Sequence, residues 1–133
     1  MSEIRNNVKE HILRKVKEQG INVSFEMLEV MGYLWKYDGT NQQEIADLTS
    51  KDKSNITYLV DNLVERNFVM RVEDKSDRRN KLIYLTHEGR YLKEQFQPKV
   101  AEVYEKAAEE LEMKELQDCI IVLDKIIYNL FTL

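Results

Sequence analysis

A chain of 133 residues, 43% hydrophobic and 33% charged, is long enough for one domain whose core needs no disulfide or metal staple, and its composition excludes a disordered chain. With 20 Lys+Arg against 24 Asp+Glu the net charge is −4, so no chain-wide basicity marks it as a nucleic-acid binder, and the single cysteine, Cys119, excludes an internal disulfide. No apolar run approaches the roughly 20 residues of a membrane span, and Met1 to Glu10 is polar, so a cytoplasmic chain without a membrane partner is expected.

One proline and four glycines leave room for long helices with few breaks. Ile4, Val8, Ile12 and Val16 recur every fourth residue and draw one apolar stripe along a first helix over roughly residues 3–19, which Gly20 ends. Ser24 caps a second helix, with Val23 and Leu28 placed for a hydrophobic staple. That helix carries Phe25, Met27, Leu28, Val30, Met31, Tyr33, Leu34 and Trp35 and is apolar almost all round, which predicts the buried spine of the fold. Asp38-Gly39 breaks the chain. Asn41, with Glu44 three residues on, then caps a short helix through Ile45, Ala46 and Leu48. After a turn from Thr49 to Lys51, Asp52 caps a helix whose apolar face is Ile56, Val60, Leu63 and Val64. Two short capped helices joined by so short a turn have the spacing of a helix-turn-helix.

After Asn67 the period changes to two. Phe68–Val72 and Leu82–Leu85 read as strands, and Glu73 to Lys81 between them holds no apolar side chain, which makes a hairpin with a charged tip. Thr86 caps a long helix that Pro98 should kink or restart. A last helix from about Lys114 lines up Leu116, Ile120, Leu123, Ile127 and Leu130. Ile121, Val122, Ile126 and Phe131 widen that face beyond what one neighbour buries, which predicts self-association.

The acid is unevenly spread. Residues 91–133 hold five basic and nine acidic side chains, whereas Arg71 to Lys81 hold five basic against three acidic. On the second helix of the pair, Lys53, Ser54, Asn55, Thr57 and Tyr58 lie in the turns that can enter a major groove. Asn55 can read adenine through two hydrogen bonds, Ser54 and Thr57 can reach phosphate or bases, and Lys53 suits a phosphate. The same residues also make an ordinary polar helix face. The hairpin shifts the balance: Arg78 and Arg79, with Lys75 and Lys81 beside them, sit where arginine can reach into a minor groove. Asp77, two residues before Arg79, is placed to hold that guanidinium in a bidentate pair and aim it. A solvated hairpin with a weak surface ion pair is the alternative.

The run Asn41-Gln-Gln-Glu-Ile-Ala46, then Asp52-Lys-Ser-Asn-Ile-Thr57, Leu59-Val-Asp-Asn-Leu63, and Asp77-Arg-Arg79 through Leu85-Thr86-His-Glu-Gly89 resembles the MarR family of bacterial and archaeal regulators over roughly residues 22–92. Asn67 stands where that family usually has glycine, and Lys75 where a proline is often found. The resemblance implies a mainly α fold with a small β-hairpin wing: a winged helix-turn-helix over 22–89, flanked by dimerisation helices over 1–21 and 90–133, within one domain. It implies a homodimer on a near-palindromic double-stranded DNA operator, a repressor of transcription released by a small, often aromatic effector. It also implies that Arg79 enters the minor groove and Arg78 meets the backbone. The residues themselves offer no Ser-His-Asp set, glycine-rich phosphate loop or supported carboxylate pair, so neither catalysis nor a cofactor is expected.

Cys119, among apolar residues of the last helix, is expected to be a buried, inert thiol, and His11 and His87 are too isolated for a metal site. Met31, Tyr33, Trp35 and Tyr37 at helical spacing suit plain core or an effector pocket, for which His11, Met31 and Trp35 are the candidate ligand residues. Two other readings stand beside DNA binding: a winged-helix module for protein contacts, as the acidic total permits, and a ligand- or redox-sensing module.

Overall fold

The computed structural model describes residues 2–133, which form six helices and three short strands. Helix α1 (Ser2–Glu18) is followed by α2 (Phe25–Lys36), β1 (Thr40–Asn41), α3 (Gln42–Thr49), α4 (Lys53–Glu65), β2 (Val69–Glu73), β3 (Lys81–Leu85), α5 (His87–Ala107) and α6 (Met113–Phe131). None of the helices among the described residues is long and apolar enough to cross a membrane. The chain divides into two compact units, one reaching to Ala101 and one from Glu102 to Leu133, with the boundary inside α5.

In the first unit α2 is the spine. The Ser24 hydroxyl accepts the Met27 N–H at 3.1 Å, and the helix then buries Met27, Leu28, Val30, Met31 and Leu34. Around it pack Ile45 and Ala46 of α3, Ile56, Leu59, Val60 and Leu63 of α4, Val69, Ile83 and Leu85 of the sheet, and Leu92 of α5. Two details differ from the pattern in the sequence. Leu59 joins the buried face of α4 while Val64 stays on the surface, because the helix turns its 56–59–60–63 quadrant to α2. On α1, Ile12 and Val16 are buried but Ile4 is 65% exposed, so the stripe outruns the surface that covers it.

The sheet has the order β1-β3-β2 and is antiparallel throughout. Its main hairpin pairs Val69 with Leu85 through Glu73 with Lys81. The strands therefore take in Glu73 and Lys81 and leave out Phe68, which shortens the loop to Asp74–Asn80. Strand β1 has no counterpart in the sequence pattern, since two residues cannot show an alternation. It forms because Gly39, at φ +76°, turns the chain and donates its N–H to the Ile83 carbonyl at 2.9 Å. Asp38 holds the same corner, its carboxylate accepting the Leu85 N–H at 2.8 Å and meeting Arg90 at 3.3 Å.

Where α4 gives way to β2, Asn67 adopts φ 62°, the left-handed geometry for which asparagine is the best substitute for glycine. Thr86 closes the far end. Its N–H donates to the Phe68 carbonyl at 3.1 Å, while its hydroxyl donates to the Asn67 carbonyl at 2.6 Å and accepts the Gly89 N–H at 3.0 Å. A Cβ on Gly89 would lie 2.1 Å from the Phe68 carbonyl oxygen, closer than any packing tolerates. The Gly89 carbonyl in turn accepts the Trp35 indole N–H at 3.0 Å.

Helix α5 continues as one helix through Pro98. In the second unit α6 is capped by Glu112, whose N–H donates to the Glu115 carboxylate at 3.1 Å. Its apolar residues are left uncovered: Ile121 is 64% exposed, Ile127 59% and Phe131 90%. Cys119, expected to be buried, is exposed for the same reason: its own unit supplies nothing that covers this face.

The glycines of this fold should respond in opposite directions to one methyl group. Gly32→Ala, where an added Cβ meets nothing within 4 Å, should raise stability by about 0.5–1 kcal/mol through helix propensity. Gly89→Ala should lower it by about 1–3 kcal/mol through overpacking. Urea unfolding of the two variants followed by circular dichroism measures both, and an unchanged or raised stability of Gly89→Ala would contradict the close approach at Phe68.

Candidate nucleic-acid interface

The α3–α4 pair is built from local caps. Asn41 accepts the Glu44 N–H at 2.8 Å and donates its side-chain amide to the Glu44 carboxylate at 2.9 Å. Ser50, at φ 56°, turns the chain, and Lys51 secures the turn with an N–H donated to the Ala46 carbonyl at 3.1 Å and an ammonium 3.7 Å from Glu29 of α2. Asp52 then starts α4. One of its carboxylate oxygens accepts the Asn55 N–H at 2.7 Å and the Ser54 hydroxyl at 2.8 Å. The backbone bond first, and the hydroxyl second, hold the Asp52 carboxyl below the usual aspartate range.

These caps decide which side chains of α4 are free to act. Lys53, Ser54, Asn55 and Tyr58 are exposed, and Tyr58 is 65% so. Ser54 uses its hydroxyl proton on Asp52 and keeps only acceptor capacity. Thr57 is half-buried and turned toward α3: it donates to the Lys53 carbonyl at 2.9 Å and accepts the Gln42 amide at 3.2 Å.

In the hairpin loop the two acids, Asp74 and Asp77, fold inward on their own backbone. Asp74 accepts both the N–H and the hydroxyl of Ser76, at 3.0 and 2.7 Å, and those bonds lower its pKa. Asp77 accepts the Arg79 N–H at 3.1 Å. Backbone bonds from Asp74 to Asn80, Asp77 to Asp74 and Asn80 to Asp77 complete the turn. Asp77 thus braces the wing through the main chain of Arg79, and the bidentate pair with its guanidinium expected from the spacing does not form. The nearer partner wins: an aspartate reaches the N–H two residues on with no side chain to order. Lys75, Arg78, Arg79 and Lys81 are all exposed, and among the described residues none of them takes part in an ion pair.

Arg71 is the residue that sequence reasoning counted only as charge. It sits half-buried on β2 opposite Ile83, on the same side as Val69. Its Nε donates to the Gln42 carboxamide oxygen of α3 at 2.9 Å, and its Nη2 to the Asp61 carboxylate of α4 at 2.5 Å and the Thr57 carbonyl at 3.5 Å. The signal was present in the strand alternation, which puts residues 69 and 71 on the inward face, where a cation needs an acid partner.

The candidate ligand residues do not converge. His11 is exposed, Met31 is fully buried in the core, and Trp35 is half-buried with its ring 5.7 Å from that of Phe96 and its N–H on Gly89. A cleft of about 520 Å³ lies elsewhere in the first unit, lined by residues of α1 and α2 and by Lys51. Four of its charged residues pair within it, Lys9 with Glu26 at 3.5 Å and Lys51 with Glu29 at 3.7 Å, and Arg5 also lines it.

Comparison with known proteins matches the family model described as MarR family to residues 23–81. An HTH-type transcriptional regulator of Bacillus subtilis strain 168, YkoM, is 29% identical over 120 residues, 90% of this chain and 76% of that protein. The crystal structure of CouR from Rhodococcus jostii RHA1 bound to p-coumaroyl-CoA is 29% identical with a TM-score of 0.78, over 94% of this chain and 87% of that one. CouR described as a transcriptional repressor and bound to a 23-mer DNA duplex is 25% identical with a TM-score of 0.80, over 96% and 88%.

The Asp52 cap should show in the pH dependence of stability. Its pKa is lowered in the folded chain, so its contribution is present above the ordinary aspartate value of about 3.9 and is lost as pH falls through the lower folded value. The substitution Asp52→Asn keeps a capping oxygen and removes the titration. The melting temperature of that variant should therefore approach that of the parent as pH is lowered toward about 2, measured by thermal unfolding; a gap that stays constant would show that the carboxylate does not carry the cap.

Proposed function

Because the chain belongs to the MarR family of transcriptional regulators, and so is not an enzyme, we propose that it is a homodimeric, sequence-specific repressor that binds a near-palindromic double-stranded DNA operator. One observation carries the reading most directly: the hairpin loop engages both of its acids, Asp74 and Asp77, in bonds to backbone N–H groups, and Lys75, Arg78, Arg79 and Lys81 stay exposed and outside any ion pair among the described residues. In this reading residues 22–89 form the reading head, and the helices of 1–21 and 90–133 join two copies. Lys53 meets phosphate. Asn55 reads a base edge in the major groove, with Ser54, Tyr58 and Thr57, whose bonded hydroxyl keeps one acceptor lone pair for a base amino group, completing the contacts of α4. Arg79, held by Asp77 through its backbone, enters the minor groove, and Arg78, Lys75 and Lys81 neutralise phosphates. The DNA-bound neighbour supports this use of the fold.

The uncovered apolar face of α6 supports the homodimer, since a monomer seldom leaves so many large apolar side chains together in water. The p-coumaroyl-CoA-bound neighbour supports release by a small effector. His11, Met31 and Trp35 remain the proposed contacts for it, though Met31 would have to become accessible first. Such a regulator works in the cytoplasm.

Fluorescence anisotropy on a duplex enriched by the protein from a randomised pool, at several salt concentrations, tests the reading. Arg79→Ala should weaken binding by about 1–3 kcal/mol and reduce the salt slope by about one. Enrichment of no duplex, or an Arg79 variant with unchanged affinity and slope, would reject it. For the dimer, Ile127→Glu should convert the species seen in sedimentation to a monomer and abolish tight operator binding; a parent protein that sediments as a stable monomer at micromolar concentration would rule the dimer out.

A further inference from the structure

We propose that Arg71 is a positioning residue that sets the relative placement of α4 and the hairpin, and so governs discrimination between DNA sequences rather than attraction to DNA. The proposal rests on the DNA-binding reading above. Arg71 lacks the marks of a DNA contact itself. It is half-buried, and its guanidinium is already bonded to Gln42, Asp61 and Thr57. Those three residues belong to α3 and α4, and Arg71 to β2, so one planar side chain joins three elements of the reading head.

A second link closes the circuit. The Gln42 amide donates to the Thr57 hydroxyl at 3.2 Å, and that hydroxyl donates to the Lys53 carbonyl at 2.9 Å. The network therefore ends on the first turn of α4, which carries Lys53 and Asn55. Apolar packing between α4 and β2 is non-directional and tolerates small rotations. A forked guanidinium bonded to two side chains of fixed geometry does not. A base contact needs placement to within about half an ångström, whereas attraction to phosphate does not. Arg71 and Asp61 are 25% and 59% exposed at their side chains, so the pair is partly hydrated and adds little to stability. Losing it should loosen the geometry without unfolding the head.

The test compares Arg71→Ala, Arg71→Lys and the parent on two duplexes, one enriched by the parent from a randomised pool and one of scrambled sequence. The parent should prefer the enriched duplex. Arg71→Ala should reduce that preference by roughly tenfold to hundredfold, the size of one lost base-pair readout, while affinity for the scrambled duplex and the salt slope stay as they were. Lysine keeps the charge without the fork, so Arg71→Lys should behave like alanine and not like arginine. Asp61→Asn should lose part of the preference, and Asp61→Asn combined with Arg71→Ala should lose no more than Arg71→Ala alone.

An unchanged preference overturns the proposal. A salt slope reduced by about one on both duplexes makes Arg71 a phosphate contact and overturns it too. A parallel loss of melting temperature and of both affinities leaves only a structural role, which is a third defeat. If Arg71→Ala fails to fold, Arg71→Lys and Asp61→Asn carry the same comparison. A parent that enriches no duplex defeats the DNA-binding reading, and the proposal falls with it.

Discussion

The Phe68 carbonyl, with the backbone of Gly89 pressed against it and the Thr86 N–H donated to it, is the contact on which the rest of the head depends. It joins the exit of α4 to the entry of α5, and so fixes both ends of the hairpin at one place. Without a side chain at Gly89 the two backbones approach closely enough for the Thr86 hydroxyl to bridge Asn67 and Gly89. The Gly89 carbonyl then points at Trp35, which brings α2, the spine, into the same junction. Strand register follows: with Val69 and Leu85 paired beside the junction, the alternation along both strands is set, and Arg71 must face the helices.

Net charge is a poor guide to this molecule because so many of its acids near the candidate interface are engaged locally. Asp38, Asp52, Asp74 and Asp77 each accept a backbone N–H, and Asp61 faces Arg71. Each of those carboxylates holds a turn, a cap or a strand, and none of them is paired with Lys75, Arg78, Arg79 or Lys81. Lys75, Arg78, Arg79 and Lys81 have no such partners among the described residues. The excess acid of the chain lies in residues 91–133, beyond the head. Charge that opposes nucleic-acid binding in the total is, at the candidate interface, largely the scaffold that presents the cations.

What the sequence disclosed is what local geometry determines. Ser24, Asn41, Asp52 and Thr86 could be assigned as caps because a cap joins residues two or three apart, and Asn67 could be placed in the left-handed region because few residues go there. The errors lie where two partners competed or where the partner was distant. Asp77 had a backbone N–H within reach and took it in preference to a guanidinium. Strand β1 exists only because β3, far along the chain, passes beside it and pairs Ile83 with Thr40. Arg71 meets partners on two helices that no spacing rule connects to it. Leu59 and Val64 exchange roles because the buried arc of a helix depends on which neighbours cover it.

Cys119 raises the same question in a sharper form. Its apolar neighbours on α6 argue for burial, yet in the single chain it is exposed along with Ile120, Ile121 and Leu123. Both statements hold at once if the surface that covers α6 comes from another copy. The first unit has a closed core, and among the described residues no buried side-chain polar atom lacks a hydrogen bond. The second unit has apolar side chains in abundance and almost no interior in which to put them. A sequence encodes the burial each residue needs in the assembly where it works, whereas one chain shows only the part of that burial it can supply itself. The α6 face is where the two differ most, and that difference is the physical argument for a dimer.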